Sequence, residues 1–169
     1  MSERQHHQMT NTHILLHPFD YVEPASLQEA VSLLSKYGDQ AQILAGGTNL
    51  IVWMKMEQKA PEQVINIGRL PGLAGIYNRN GELQVGALTK IRAVGDAPEV
   101  RSEYAALADS CATFGSTQIQ MMGTIGGNLC NGSPASDTAP ALVALGARLT
   151  IAGPDGERTA PIESFLVGP

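Results

Sequence analysis

The sequence predicts an α+β fold in two unequal parts, and three observations carry that expectation. The first third holds a capped amphipathic helix. A strand–glycine turn–helix–strand series follows it, which is the pattern of a β-α-β unit. The remainder holds two hairpin signals separated by short helical stretches, the pattern of a mixed rather than a doubly wound fold.

Order is expected from about Pro18 and Phe19, behind a polar tail over residues 1–17 that composition reads as disordered. Ser26-Leu27-Gln28-Glu29 is a capping box, since Ser26 can accept from the Glu29 amide while Glu29 reaches back. Leu27, Ala30, Val31 and Leu34 then recur at helical spacing, and Gly38 supplies the stop. Residues 41–45 read as a short buried strand running into Gly46-Gly47-Thr48-Asn49. A second helix is expected from Leu50 through Met54 to about Glu57, broken before Pro61. Residues 64–67 form the next strand, and residues 18–68 together form a small β-α-β subdomain.

Residues 69–169 read as a larger α+β subdomain. Residues 73–77 and 82–87 flank Asn78-Arg79-Asn80-Gly81, a hairpin signal because Asn-Gly tolerates positive φ. Short helices are expected at 91–94 and from Ala105 to Cys111, the latter ending near Gly115. A glycine-rich loop follows, then a helix over 139–145 that begins just past Pro134. A second hairpin turns about Pro154-Asp155-Gly156.

Composition narrows the chemistry. The chain has 169 residues, 18 of them glycine, with 5% aromatic and 16% charged residues. The net charge of −5 argues against a nucleic-acid partner or an anionic membrane surface. All four histidines, His6, His7, His13 and His17, lie in the tail, so Ser-His-Asp, Cys-His and His-zinc chemistry are excluded beyond it. No catalytic or metal-ligating set remains, and any chemistry falls to a bound cofactor. Cys111 and Cys130 lack CxxC spacing and read as reduced, semi-buried thiols. There is no membrane span and no signal peptide, which makes a cytoplasmic location the default.

Two segments stand out: Ala45-Gly46-Gly47-Thr48-Asn49-Leu50, and Met122-Gly123-Thr124-Ile125-Gly126-Gly127-Asn128-Leu129-Cys130-Asn131. Each sets paired glycines beside a hydroxyl and an Asn. Glycine lets backbone approach a ligand and aim consecutive N–H groups at one oxyanion. The Thr48 and Thr124 hydroxyls can donate to phosphate oxygens. Either segment alone is more often a tight turn; two in one small chain suggest a diphosphate held between subdomains. Neither fits GxxxxGK[ST] or GxGxxG. In Ser133-Pro134-Ala135-Ser136-Asp137, the Asp137 carboxylate can accept from sugar hydroxyls or serve as a charge at a helix start.

These two segments, with Phe19-Asp20-Tyr21-Val22-Glu23-Pro24 and Ser26-Leu27-Gln28-Glu29-Ala30 ahead of them, resemble the FAD-binding medium subunit of the molybdenum hydroxylases. This is the xanthine dehydrogenase and aerobic carbon monoxide dehydrogenase family. The resemblance runs from about Pro18 to the end. It implies a two-subdomain FAD fold of the vanillyl-alcohol-oxidase and molybdenum-hydroxylase type, with FAD extended between the parts. Carried over by position, Leu44, Ala45, Gly46, Gly47, Thr48, Asn49 and Leu50 would hold the pyrophosphate. Thr124, Gly126, Gly127 and Asn128 would complete the diphosphate and ribityl contacts, and Asp137 would bind FAD hydroxyls. Phe114 and Gly115 match positions flanking the flavin nucleotide, while Phe114 also reads as a helix-end core aromatic.

The chain departs from the family's pattern at Asn49, where Asp is usual. It also has Ile119-Gln120-Met121 where Ile-Arg-Asn is frequent, so a structural or a partner contact changes there. Family subunits continue through further strands and a C-terminal domain absent here, so a truncated form is expected. The resemblance further implies electrons arriving from a [2Fe-2S] small subunit beside a molybdopterin-binding large subunit, and leaving to NAD or a quinone-type acceptor. The alternatives are a free-standing flavin oxidase or reductase, and a cofactor-free interaction module that keeps the fold.

Overall fold

The computed structural model describes residues 15–166, so most of the expected tail lies outside the described residues. Three strands, β1 (Asp20–Val22), β2 (Ala41–Leu44) and β3 (Gln63–Asn66), form a parallel sheet in the order β1-β3-β2. Val64 pairs with Tyr21 on one side and Gln42 on the other. Parallel neighbours require crossovers, and α1 (Leu27–Tyr37) and α2 (Leu50–Lys55) supply them. The central position of β3 explains its near-complete burial, with Val64 and Ile65 exposed by no more than 1%.

Helix α1 starts as its sequence requires: Ser26 Oγ accepts from the Glu29 amide at 3.1 Å. Glu29 reaches back one residue further than expected, accepting from the Ala25 amide at 2.7 Å. Gly38, at φ +52°, ends the helix with its N–H on the Leu34 carbonyl. Strand β1 was not expected; it is three residues long and lies at the sheet edge, too short to show an alternating pattern.

The first hairpin joins β4 (Ile76–Arg79) to β5 (Glu82–Val85). Its turn is Asn80-Gly81 alone, both at positive φ, so Asn78 and Arg79 belong to the strand and not to the turn. Helices α3 (Ile91–Asp96), α4 (Pro98–Glu103) and α5 (Ala105–Thr113) then close on a core of Ile91, Val94, Val100, Leu107, Cys111 and Ile125. A Cβ on Gly95 would stand 2.9 Å from that of Cys111, so α3 and α5 approach by the width of a missing methyl. Helix α4 was not expected, although Pro98 at its first turn is a legible start signal.

Two further short helices replace the expected glycine-rich loop: α6 (Thr117–Met122) and α7 (Ile125–Cys130). Gly126 and Gly127 lie in the first turn of α7, where Ile125 and Leu129, one turn apart, are both buried. Glycine lowers helix propensity, and here side-chain burial and capping override it. Helix α8 (Thr138–Ala144) falls within one residue of the expected 139–145, and a turn from Ser133 to Ser136, which contains Pro134, precedes it. The last hairpin pairs β6 (Arg148–Gly153) with β7 (Gly156–Pro161), and a single turn, α9 (Ile162–Phe165), follows.

Ala30, Leu70 and Leu88, with Ala45, Ile67 and Leu73 against them, form an apolar cluster joining the parallel sheet to the hairpin region. No helix among the described residues is long and apolar enough to cross a membrane, and no described group of His, Cys, Asp or Glu could hold a metal.

Candidate functional site

The first glycine segment leaves the C-terminal end of β2 and enters α2. Among the described residues, the amides of Gly46, Gly47, Thr48, Asn49 and Leu50 meet no acceptor in the protein. Five successive unpaired N–H groups at a strand-to-helix turn form a donor row suited to an anionic ligand. Gly47 adopts φ +74°, a conformation that glycine reaches without strain and that turns the row. The Thr48 side chain is half-buried beside it, while Leu50 is buried against Met54 and Val64 and anchors the helix.

The two glycine segments touch. A Cβ on Gly46 would lie 2.3 Å from the Met122 carbonyl oxygen and 2.9 Å from Gly123 Cα, so only glycine permits this approach. The same carbonyl accepts from Lys90 Nζ at 2.9 Å. Lys90 is fixed in place by its backbone bridge to Thr124 and by bonds from the Ile91 amide to Gly123 and from the Ile125 amide to Thr89.

The second segment differs from the open row that its composition suggested. Its amides are used internally: Ile125 on Thr89, Gly126 on Ala87, Gly127 on Thr124 Oγ1, and Asn128 on the Thr124 carbonyl. Thr124, 3% exposed, is the N-cap of α7. Gly126 is glycine because a Cβ there would meet Ala87 at 2.8 Å. Gly127 faces outward, and a Cβ on it would meet only Thr124 Oγ1. Asn128 Oδ1 accepts from both Ser136 Oγ and Thr138 Oγ1, tying the Asn131–Asp137 stretch onto α7. Among the described residues its Nδ2 meets no acceptor. Asp137 is exposed at the start of α8 and caps no amide there.

Phe114 ends α5 with its ring against the Ile91–Ile125 core and near Gly123, so the core reading of this aromatic holds. Gly115 beside it is exposed at φ +48°. Sequence reasoning did not foresee how this turn is held. Buried Gln120 donates through Nε2 to the carbonyls of Ala112, at 3.1 Å, and Phe114, at 2.9 Å. These are orphan carbonyls at the end of α5. Position 120, singled out as a departure, is therefore structural.

A second polar group sits at the same end of the parallel sheet. Asn66 Nδ2 donates to the Tyr21 hydroxyl and to Glu23; the Tyr21 hydroxyl donates to Glu23. Asn66 Oδ1 accepts from the Gly68 amide at 2.9 Å, and a Cβ on Gly68 would lie 3.4 Å from the Ala45 carbonyl. The Tyr21 hydroxyl above all, with Arg69 and Asn66 behind it, holds the Glu23 carboxyl below its ordinary 4.5, against partial desolvation.

The fold and its paired glycine segments define an α+β FAD-binding domain. The chain belongs to the family described as FAD binding domain in molybdopterin dehydrogenase, which it matches over residues 17–169. It is 35% identical over 150 residues to the carbon monoxide dehydrogenase medium chain of Hydrogenophaga pseudoflava, covering 89% of this chain and 52% of that one. It is 31% identical over 150 residues to a putative xanthine dehydrogenase FAD-binding subunit of Escherichia coli K12, covering 88% and 51%. The solved structure of a Hydrogenophaga pseudoflava carbon monoxide dehydrogenase lacking the Mo-pyranopterin moiety superposes with a TM-score of 0.88 at 35% identity, over 92% of this chain and 54% of that one. The chain thus spans about half the length of the relatives it matches.

Proposed function

We propose that this chain carries FAD for a molybdenum-hydroxylase-type oxidoreductase, with the cofactor's diphosphate seated on the amides of Gly46 to Leu50. The carrying observation is that row of five N–H groups without protein acceptors, set against the second glycine segment at Gly46 and Met122. The residues fit the cofactor: the amides from Gly46 to Asn49 are part-exposed and meet no acceptor among the described residues, so they are open to a phosphate's oxygens, and glycine at 46 lets the Met122 main chain close up beside them.

Within this reading Leu44 and Ala45 set the start of the row, and Thr48 adds a hydroxyl. Thr124, Gly127 and Asn128 Nδ2 approach from the second segment, while Gly126 acts through its packing on Ala87. Asp137 accepts from cofactor hydroxyls. Gly115 lies at the exposed turn beside the flavin nucleotide, with Phe114 forming the wall behind it. The reading divides the chain near residue 68, with the ligand along the junction of the two parts.

When bound, FAD supplies a redox centre able to exchange electrons with one-electron and two-electron partners. The protein's own residues bind and orient it; none supplies an acid or base. The relatives' names, a medium chain and an FAD-binding subunit, support a place in a multi-subunit enzyme. In this reading a molybdopterin-binding large subunit and a [2Fe-2S] small subunit are the partners. NAD or a quinone-type compound is the acceptor in this reading. A cytoplasmic setting is part of this reading.

The test is an FAD titration of the folded chain, followed by flavin fluorescence and absorbance with circular dichroism as the check on folding. Saturable one-to-one binding is expected. A folded chain that takes up no FAD overturns the reading in favour of an interaction module. Co-purification with iron–sulfur and molybdenum subunits tests the place in the complex.

A further inference from the structure

We infer that Lys90 is a diphosphate-binding residue of this site, its ammonium acting on the same phosphate oxygens as the Gly46–Leu50 amides. The inference rests on the FAD reading above and extends it to a side chain outside both glycine segments.

Three observations carry it. Lys90 Nζ lies 2.9 Å from the Met122 carbonyl oxygen, the atom against which Gly46 packs. One carbonyl therefore separates the ammonium from the first residue of the unpaired amide row. Next, Lys90 makes no ion pair among the described residues, in which the ion pairs are Arg69–Glu23 and Arg92–Asp96. An ammonium has three donors, and the Met122 carbonyl occupies one of them. Finally, the Lys90 backbone is pinned between Thr89 and Ile91, whose own bonds run to Ile125 and Gly123, so its side chain leaves from the seam between the two segments.

The electrostatics give this placement a purpose. The chain carries a net −5, a field that opposes a doubly charged diphosphate. Backbone amides bring partial positive charge only. A lysine with no carboxylate partner among the described residues places a full positive charge at the seam and can add charge-assisted hydrogen bonds to phosphate oxygens. Had a carboxylate neutralised it, the residue would read as a strut for the Met122 carbonyl.

The experiment titrates the wild-type chain, Lys90→Gln and Lys90→Arg with FAD, ADP and riboflavin at low and at moderate salt. Lys90→Gln is expected to raise the Kd for FAD and for ADP alike, by about tenfold, and to flatten their salt dependence. Lys90→Arg is expected to keep most of the affinity and the salt dependence. Riboflavin, which has no phosphate, is expected to respond to neither change. FAD affinity and salt dependence unaltered in Lys90→Gln overturn the inference while leaving the FAD reading intact. So does a loss of riboflavin binding as large as that of FAD. Absence of FAD binding by the wild-type chain overturns the FAD reading and this inference with it. Should Lys90→Gln not fold, the wild-type and Lys90→Arg titrations decide: ADP binding indifferent to salt in both overturns the role of charge.

Discussion

Gly46 and Met122 are in contact through main chain alone: the Met122 carbonyl oxygen occupies the place a side chain at residue 46 would take. The contact joins the end of a parallel strand to the end of a helix in the other half of the chain. It brings the unpaired amides of the first segment up to the second.

Gly46→Ala and Gly127→Ala are expected to fail in different ways. At residue 46 the new methyl meets backbone, which cannot swing aside, so stability falls by about 1–3 kcal/mol and FAD affinity falls with it. At residue 127 the methyl points outward and meets only the Thr124 hydroxyl, so a smaller loss of stability accompanies a weaker FAD complex. Urea unfolding and FAD titration of both variants measure the contrast.

Gln120→Leu leaves the Ala112 and Phe114 carbonyls without their donor inside the fold. A loss of about 1–3 kcal/mol is expected, read by urea unfolding. Gln120→Arg, which restores donors of longer reach, is expected to recover part of it. Equal stability of the Leu variant and the wild type would show that the turn holds itself.

Burial pushes the Cys111 thiol up from its ordinary 9.0 to about 11, against a smaller opposing effect of Ser110. Between these values the unfolded chain has lost the proton and the folded chain keeps it, so stability declines as pH rises from about 9 towards 11. Cys111→Ala is expected to flatten that alkaline decline. In native protein at neutral pH the thiol is expected to react with a thiol reagent only as fast as the fold opens, since it is 1% exposed.

Glu23 has the opposite sign. Its carboxyl sits below 4.5 in the folded chain, chiefly through Tyr21, so its contribution is present above that value and fades as pH falls through the lowered one. Tyr21→Phe is expected to narrow the difference in acid unfolding midpoint between the wild type and Glu23→Gln.

Much of this was legible from local chemistry. The Ser26 cap, the Gly38 stop and the Asn80-Gly81 turn each need a residue type that few others replace, so sequence and structure agree there. The paired glycines were legible as segments, and their division of labour was not. Whether an N–H is free depends on what packs opposite: Ala87, Thr89 and Thr124 consume amides of the second segment, and no acceptor among the described residues meets those from Gly46 to Leu50. Short helices such as α6 were hidden because six residues complete too few turns to show a period. Lys90 lies outside any motif and Gln120 stood out only as a departure from one; the fold alone brings each beside the carbonyls it meets.

The strand order β1-β3-β2 also sets a sequence of events during synthesis. Neither β1 nor β2 pairs with the other; each waits for β3, the last of the three to leave the ribosome. Helix α1, with its own cap and stop, can form on the nascent chain, but the sheet cannot begin before residues 63–66 have emerged. The Gly46–Leu50 amides hang from the end of β2, so β2's place in the sheet, and theirs with it, waits on β3.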